Sequence, residues 1–208
     1  MKKIFTLLLL GCLVVGMKAQ IVDASHATHA TDKAVYYQAP QVDKKNTFIV
    51  ISKKEQRLYV YGTAAGDTLL LAKYPACLSL NKGQKQRRGD MKTPSCPASK
   101  PFYIKAIKPA SSWYHDFKDG RGSIKAYGAW FLSLHTPGHS GIGIHGSTNN
   151  EKSVPGRASE GCIRLRDTDI IQLKERYAHL NMPVIIKDED EDAWRWELKA
   201  HKKAVPVK

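Results

Sequence analysis

The sequence predicts a single, mainly β domain with one packed helix, spanning roughly residues 46–188. Short runs of β-branched and aromatic residues alternate with turn residues, which is typical of consecutive strands. Only one segment, beginning at Asp167, repeats apolar residues at a clear helical spacing. The composition, 42% hydrophobic and 25% charged, is that of a globular protein and excludes wholesale disorder.

The predicted strands begin with apolar runs at 48–51 and 58–61, followed by a Gly-containing turn and a third run at 68–74. Apolar runs divided by such turns indicate a β-meander. Residues 81–100 are rich in Lys, Arg, Gly and Pro, and they predict a loop. Further runs predict strands at 102–107, 130–134, 142–145 and 184–187.

The predicted helix follows the last polar loop. Asp167 is expected to cap its N-terminus, and Asn181 and Pro183 are typical of a helix end. Between them, apolar residues recur at the spacing of one helix face: Ile170, Leu173, Tyr177 and Leu180. This helix is therefore expected to pack on the β domain.

The N-terminus predicts export. Residues 1–19 combine a basic head, an almost unbroken apolar run and a plausible cleavage point at Ala19-Gln20, as in a secretory signal peptide. The apolar run is too short for a convincing membrane span. The alternative interpretation is a lipoprotein signal, in which Cys12 would carry the lipid anchor.

Two polar segments flank the predicted domain. Residues 20–45 are irregular and predict a flexible linker or arm, in which His26 and His29 are expected to be solvated rather than metal-bound. Residues 189–208 form a charged C-terminal tail that starts acidic and ends basic. Apolar residues within the tail favour a short helix lying on the domain: Trp194, Trp196 and Leu198.

The formal net charge of +14 favours anionic partners. Nucleic acid is one such partner, and a cell-wall polymer carrying free carboxylates is another. No basic run is interleaved with aromatic residues, and no zinc-finger or P-loop spacing is present. We therefore expect no nucleic-acid partner. The sequence gives no indication of oligomeric state.

Cleavage of the signal peptide would leave three cysteines, an odd number for an exported protein. Cys77 and Cys96 could form a disulfide, or both could be small buried hydrophobic residues. In either case Cys162 is the one left over.

The most informative segment for chemistry is 142–165. It begins with a short apolar run that ends in His145-Gly146, continues through a polar loop, and ends with residues 159–165 around Cys162. A cysteine attacks as its thiolate, so it needs a neighbour that removes its proton. A histidine can take that proton and return it to a leaving amine. We therefore expect the intervening loop to fold back and bring Cys162 and His145 together.

Two neighbours of Cys162 extend this prediction. Gly161 lets the backbone turn tightly and expose N–H groups that could form an oxyanion hole. Arg164 follows two residues after the cysteine, on the same face of an extended strand. It could hold a substrate carboxylate or brace the loop.

At these residues the sequence resembles the L,D-transpeptidase catalytic-domain family (YkuD-like). Its signature is a His-Gly pair, a loop of about this length, and Ser-x-Gly-Cys-Ile-Arg-Leu, here residues 159–165. The resemblance covers essentially all of 46–188, through the weaker segments 48–61, 89–94, 127–131 and 183–186.

The resemblance implies a β-sandwich-like domain and a covalent thioester mechanism. Cys162 would be the nucleophile and His145 the base, oriented by the backbone carbonyl of Gly146. Tyr127 falls where the family places a tyrosine near the oxyanion. No cofactor and no metal are implied.

The implied donor is a peptidoglycan tetrapeptide stem, attacked at the carbonyl of its diamino acid with loss of D-Ala. Arg164 and Ser159 are expected to bind this substrate. The implied acceptor is an amine of another stem, a lysine of a wall-linked protein, a D-amino acid, or water. Carbapenems are expected to acylate Cys162. The substrate places the exported protein in the periplasm or cell envelope.

The sequence departs from the family pattern at several positions. Glu160 stands where many members carry His, and its carboxylate would oppose thiolate formation. Cys77 and Cys96 stand in segments where the family has none, which favours an unusual disulfide.

Several alternatives stay open from the sequence. They are a related L,D-carboxypeptidase or amidase that uses water, a sortase-like thiol transpeptidase, and an inactive peptidoglycan-binding module. A metal site is a weaker alternative, because its candidate ligands fit no tight ligand spacing: His135, His139, His145 and Cys162. His115 and His179 are expected to be surface or packing residues.

Overall fold

The computed structural model describes residues 32–208. The predicted signal peptide at 1–19, the alternative lipid anchor at Cys12 and the histidines of the arm lie outside the described residues.

Fourteen strands and two α-helices form within residues 32–208. The strands are β1 (Val35–Gln38), β2 (Thr47–Ser52), β3 (Arg57–Ala64), β4 (Asp67–Pro75), β5 (Cys77–Ser79), β6 (Phe102–Pro109), β7 (Tyr114–Asp116), β8 (Ser123–Lys125), β9 (Trp130–His135), β10 (Gly143–His145), β11 (Gly156–Ser159), β12 (Ile163–Arg164), β13 (Pro183–Ile186) and β14 (Val205–Pro206). The helices are α1 (Asp167–Arg176) and α2 (Arg195–Lys203).

Twelve of these strands form one curled sheet in the order β11-β5-β12-β10-β9-β6-β13-β2-β3-β4-β1-β14. The predicted meander is its β2-β3-β4 portion, which is antiparallel throughout. The remaining two strands, β7 and β8, form a separate antiparallel hairpin. The predicted fold class, mainly β with a packed helix, is confirmed.

The core lies along the β2 and β3 pair. Ile49, Ile51, Leu58 and Val60 are fully buried there, and Leu173 of α1 packs into the same cluster. Burial of each such side chain contributes roughly 1.5–3 kcal/mol. Beneath the sheet's other half, α1 contacts β9 and β10. It therefore supports the strands that carry the candidate site.

Helix α1 starts where predicted, but its capping differs. Asp167 is the first helical residue, and its carboxylate accepts hydrogen bonds from the Ser147 backbone N–H, at 2.7 Å, and from the Thr148 hydroxyl. The carboxylate serves a neighbouring loop and not the helix terminus. Leu180, predicted on the apolar helix face, lies beyond the helix end and is 59% exposed.

The segment 20–45 was predicted to be a flexible arm; the structure describes its residues 32–45, which include one short strand. Strand β1 lies within it and pairs with both β4 and β14. Backbone hydrogen bonds to these two neighbours and packing of Tyr36 and Tyr37 against the core hold the strand on the domain.

The C-terminal tail forms the expected helix, α2, on the surface of the domain. Trp196 packs edge-on against Tyr61, with ring centroids 5.0 Å apart. Glu197 forms a buried ion pair with Lys187, and both side chains are 2% exposed. Leu198 instead faces solvent. Neither α1 nor α2 is long and apolar enough to cross a membrane.

Candidate active site

Two adjacent parallel strands bring the predicted pair together. β10 ends at His145, and β12 begins directly after Cys162, with Ile144 opposite Ile163 in the register. The loop between them runs out to the sheet edge, where β11 pairs with β5, and then returns. His145 and Cys162 consequently line one cleft of about 390 Å³, together with Tyr127, Glu160 and Arg164.

A tight turn presents Cys162 to the cleft. Gly161 has φ +133°, and a Cβ at this position would lie 2.8 Å from the Lys92 carbonyl oxygen. The Ser159 hydroxyl donates to the Cys162 carbonyl at 2.6 Å and accepts from the Gly161 N–H at 3.2 Å. Ser159, predicted to bind substrate, lines the cleft, but it is buried and its hydroxyl is engaged in the turn that carries Cys162.

The Cys162 thiol is neutral at physiological pH. Its S–H points to the Gly141 carbonyl, with Sγ 3.3 Å from the oxygen. Burial raises the pKa of Cys162 to about 11, against the lowering effects of the Gly143 backbone and of Arg164. The Glu160 carboxylate also raises this pKa, as expected from its place in the sequence.

His145 is buried in β10 and fixed by its neighbours. Its Nδ1 lies 2.7 Å from the Gly146 carbonyl oxygen, so Nδ1–H donates and Nε2 is left as the acceptor. Its ring stacks on Phe131 and contacts Tyr127 at a centroid distance of 4.8 Å. Burial and the Arg164 charge lower the pKa of His145 to about 3. The imidazole is therefore neutral at neutral pH, with its Nε2 unprotonated.

Close packing of the backbone at Gly128 against that at Gly146 supports the position of His145. Gly128 and Gly146 lie against each other, and a Cβ on either glycine would meet the other's Cα at 2.6 Å. The Gly146 N–H donates to the Tyr127 carbonyl at 2.7 Å, and the Asp167 carboxylate holds the next residue. Asp167 was predicted to cap helix α1, so its contribution to the site was missed.

Arg164 is a buried cation at the edge of the cleft. It is 3% exposed, Nη1 donates to the Ser153 hydroxyl at 3.0 Å, and the guanidinium lies over the Phe117 ring. No carboxylate pairs with it, and its Nε lacks a hydrogen-bond partner, within residues 32–208. It thus braces the loop and still leaves a positive charge for the cleft.

His115 lies in the cleft, contrary to the expectation of a surface or packing residue. Its Nε2 is 3.2 Å from a Glu160 carboxylate oxygen, and its Nδ1 is 3.4 Å from the Tyr127 hydroxyl. His115 is carried by β7, far from the predicted signature in the sequence. No local pattern marks this contact, because it depends on how the β7-β8 hairpin sits over the cleft.

A basic loop forms the opposite rim of the cleft. Asp90 organises it by accepting from the backbone N–H groups of residues 86, 87 and 92 and from the Lys85 ammonium. Those hydrogen bonds hold the pKa of Asp90 well below its usual range. Arg87 and Arg88 line the rim beside Lys85.

The remaining cysteines are not part of this site. Cys77 and Cys96 are buried free thiols, so the disulfide left open by the sequence does not form. Nor do any three His, Cys, Asp or Glu side chains gather into a metal-binding group in the part of the chain that the structure describes.

Comparison with known families was decisive. The family model described as the L,D-transpeptidase catalytic domain (YkuD) matches residues 46–186. The chain belongs to this family. No curated protein matches the chain by sequence comparison.

Solved structures are similar to this L,D-transpeptidase-family chain in fold. Bd1075 of Bdellovibrio bacteriovorus matches with a TM-score of 0.50 and 19% identity, over 81% of this chain and 57% of that one. An L,D-transpeptidase from Mycobacterium smegmatis matches with a TM-score of 0.46 and 18% identity, over 68% and 58%. The helical cell shape determining protein Pgp2 from Campylobacter jejuni matches with a TM-score of 0.48 and 18% identity, over 81% and 55%. The chain therefore spans little more than half the length of these proteins.

Proposed function

We propose that the chain is an exported L,D-transpeptidase that acts on peptidoglycan tetrapeptide stems through a thioester on Cys162. The observation that carries the proposal is the pairing of a cleft-lining thiol with a neutral histidine whose Nδ1 is anchored on the Gly146 carbonyl. This arrangement leaves Nε2 as the acceptor for the thiol proton. Family membership supplies the reaction class.

The first half-reaction begins with transfer of the thiol proton to His145. The sulfur of Cys162 attacks the diamino-acid carbonyl, and the C–N bond to D-Ala breaks as His145 returns the proton to the leaving amine. The Gly161 N–H already donates to the Ser159 hydroxyl, so the Cys162 N–H at this turn, with Tyr127 nearby, would stabilise the oxyanion. Because the resting thiol has a raised pKa, the base is required at neutral pH.

The charge of the cleft favours a donor rich in carboxylates. Arg87 and Arg88 line one rim, where Lys85 is already paired with Asp90, and Arg164 adds a buried positive charge without a carboxylate partner among the described residues. A stem peptide carries free carboxylates that would compensate these cations. The second half-reaction transfers the acyl group to an amine, from another stem or from a wall-linked protein, or to water. This substrate places the activity in the periplasm or cell envelope.

The test is turnover of a soluble tetrapeptide stem, with released D-Ala and the mass of the protein followed together. Wild type should release D-Ala and accumulate an acylated species on Cys162, whereas Cys162→Ala should do neither. Glu175→Gln, at an exposed position of α1, is the control for handling and should match wild type. D-Ala release by Cys162→Ala, or none by folded, reduced wild type, would contradict the proposal.

A further inference from the structure

Glu160 is the single acidic side chain among the described residues that line the cleft. The other charged lining residues are cationic: Lys85, Arg87, Arg88 and Arg164. The negative charge of Glu160, two positions before the candidate nucleophile, thus lies among positive charges.

The contacts of Glu160 leave it available to a ligand. Its side chain is 44% exposed, and one carboxylate oxygen, Oε2, lies 3.2 Å from His115 Nε2. The other oxygen, Oε1, has no protein partner within residues 32–208. His115 in turn reaches the Tyr127 hydroxyl, and the Tyr127 ring contacts His145. The Glu160–His115 pair is therefore joined by contacts to the candidate catalytic pair.

Glu160 works against the first half-reaction. Its negative charge raises the pKa of the Cys162 thiol and so disfavours the thiolate that must attack the donor. A side chain whose charge disfavours one step of a reaction is expected to serve another step of it. The remaining step is attack on the thioester, in which the sulfur must leave and the entering group must lose protons.

Resting on the proposed function, we propose that the Glu160–His115 pair is the acceptor site for a primary ammonium group and takes one of its protons before attack. A carboxylate oxygen binds an ammonium through a charge-assisted hydrogen bond. A cationic cleft would otherwise repel such an acceptor. The inference names an alkyl amine, rather than water, as the preferred acceptor.

The ammonium gives one proton to the Glu160–His115 pair and becomes a free amine. Its nitrogen forms the C–N bond to the acyl carbon, and the C–S bond breaks with its electron pair staying on Cys162. The second proton lost by that nitrogen passes through His145 to the sulfur and restores the thiol, while the first is later released to solvent.

The competing explanation is that Glu160 only pins the β7-β8 hairpin over the cleft through His115. Glu160→Gln separates the two roles, because glutamine keeps a polar group of the same size beside His115 but carries no charge. His115→Gln is the second variant, since it retains a polar contact but cannot accept a proton at this position. Glu151→Gln, exposed in the loop between the catalytic strands and outside the cleft lining, is the matched control.

In the experiment, the enzyme receives the stem donor and two competing acceptors at neutral pH. One acceptor, Nα-acetyl-lysine amide, is an ammonium ion at this pH. The other, hydroxylamine, is uncharged. Amide, hydroxamate and hydrolysed products are quantified against released D-Ala. For Glu160→Gln we expect the ratio of lysine amide to hydrolysis product to fall about tenfold or more, with the hydroxamate ratio retained. His115→Gln should lower the lysine ratio as well, and Glu151→Gln should match wild type.

Carbapenem acylation gives an independent reading of the first half-reaction. Loss of the Glu160 charge should increase the rate of carbapenem acylation and decrease the rate of transfer to lysine. A merely structural role would not change the two rates in opposite directions. An unchanged lysine ratio in folded Glu160→Gln, or an equal loss of both acceptors, would overturn the inference alone. Absence of D-Ala release by wild type would instead remove the proposed function on which it rests.

Discussion

At the scale of single residues, His145 and Cys162 are both uncharged at neutral pH. Burial lowers the pKa of His145 to about 3 and raises the pKa of Cys162 to about 11. A preformed thiolate–imidazolium pair would need the opposite order of pKa values. We therefore assign His145 the role of a general base. It would take the thiol proton while the sulfur attacks, and not before the attack.

This assignment predicts an unusual pH dependence for acylation by a carbapenem. In wild type the rate should be nearly constant from roughly pH 5 to 8, because His145 stays neutral across that range. In His145→Gln only the thiolate can react, so the rate should rise about tenfold per pH unit toward the thiol pKa of about 11. Intact-mass time courses at each pH measure both rates.

An acidic limb near the ordinary histidine pKa in wild type would show that His145 titrates normally and would contradict the assignment. A His145→Gln profile as flat as wild type would remove His145 from the proton transfer. Circular dichroism at each pH shows whether the variant stays folded.

The candidate catalytic residues were predictable because they belong to short sequence motifs: His145 to the His-Gly pair, and Gly161 and Cys162 to the segment 159–165. The roles of Ser159 and His115 were not. The Ser159 hydroxyl is engaged by the turn it belongs to, and His115 meets Glu160 only through tertiary structure. The same limit applies to Asp167, since a capping aspartate and a loop-bracing aspartate look alike in sequence.

At the scale of elements, α2 is anchored by charge as well as by aromatic packing. Glu197 pairs with buried Lys187 and also accepts from the Trp194 backbone N–H at 2.8 Å and the Tyr61 hydroxyl at 3.2 Å. The Lys187 ammonium lies 4.2 Å from the Trp194 ring centroid. The helix thus closes over a carboxylate whose hydrogen bonds all come from the protein.

Removing that charge should destabilise the fold. Glu197→Gln leaves Lys187 buried without a counter-ion, which typically costs about 3–5 kcal/mol of unfolding free energy. Chemical denaturation measures the change, and Glu175→Gln on the exposed side of α1 should shift the unfolding free energy by less than about 0.5 kcal/mol. Equal stability of the two variants would mean that the tail does not contribute to the domain.

The elements themselves were predicted unevenly. Strands β2, β3, β4 and β13 follow from continuous apolar runs, because both faces of these strands are largely covered. Strand β1 was missed because it is only four residues long and lies in a polar stretch, and the partners that stabilise it are distant in the chain: its backbone pairs with β4 and β14, and Tyr36 and Tyr37 pack against the core. The two-residue strand β12 likewise exists only because β10 and β5 lie beside it.

At the scale of the whole molecule, the sheet order determines the site. His145 and Cys162 are distant in sequence, yet the parallel β10-β12 pair makes them neighbours, and the β7-β8 hairpin and the Asp90-organised loop bound the cleft between them. The sequence predicted the pairing through its signature but not the cleft walls, which come from separate loops. The two buried thiols, Cys77 and Cys96, provide internal controls for reactivity.

The most direct test of the central claim is carbapenem labelling of purified, reduced protein, followed by intact-mass spectrometry and peptide mapping. We expect one adduct per chain, on Cys162, in wild type and in Cys96→Ala, and no adduct in Cys162→Ala with an unchanged melting temperature. An adduct that maps to Cys77 or Cys96, one that persists in Cys162→Ala, or none on folded wild type would contradict Cys162 as the activated nucleophile.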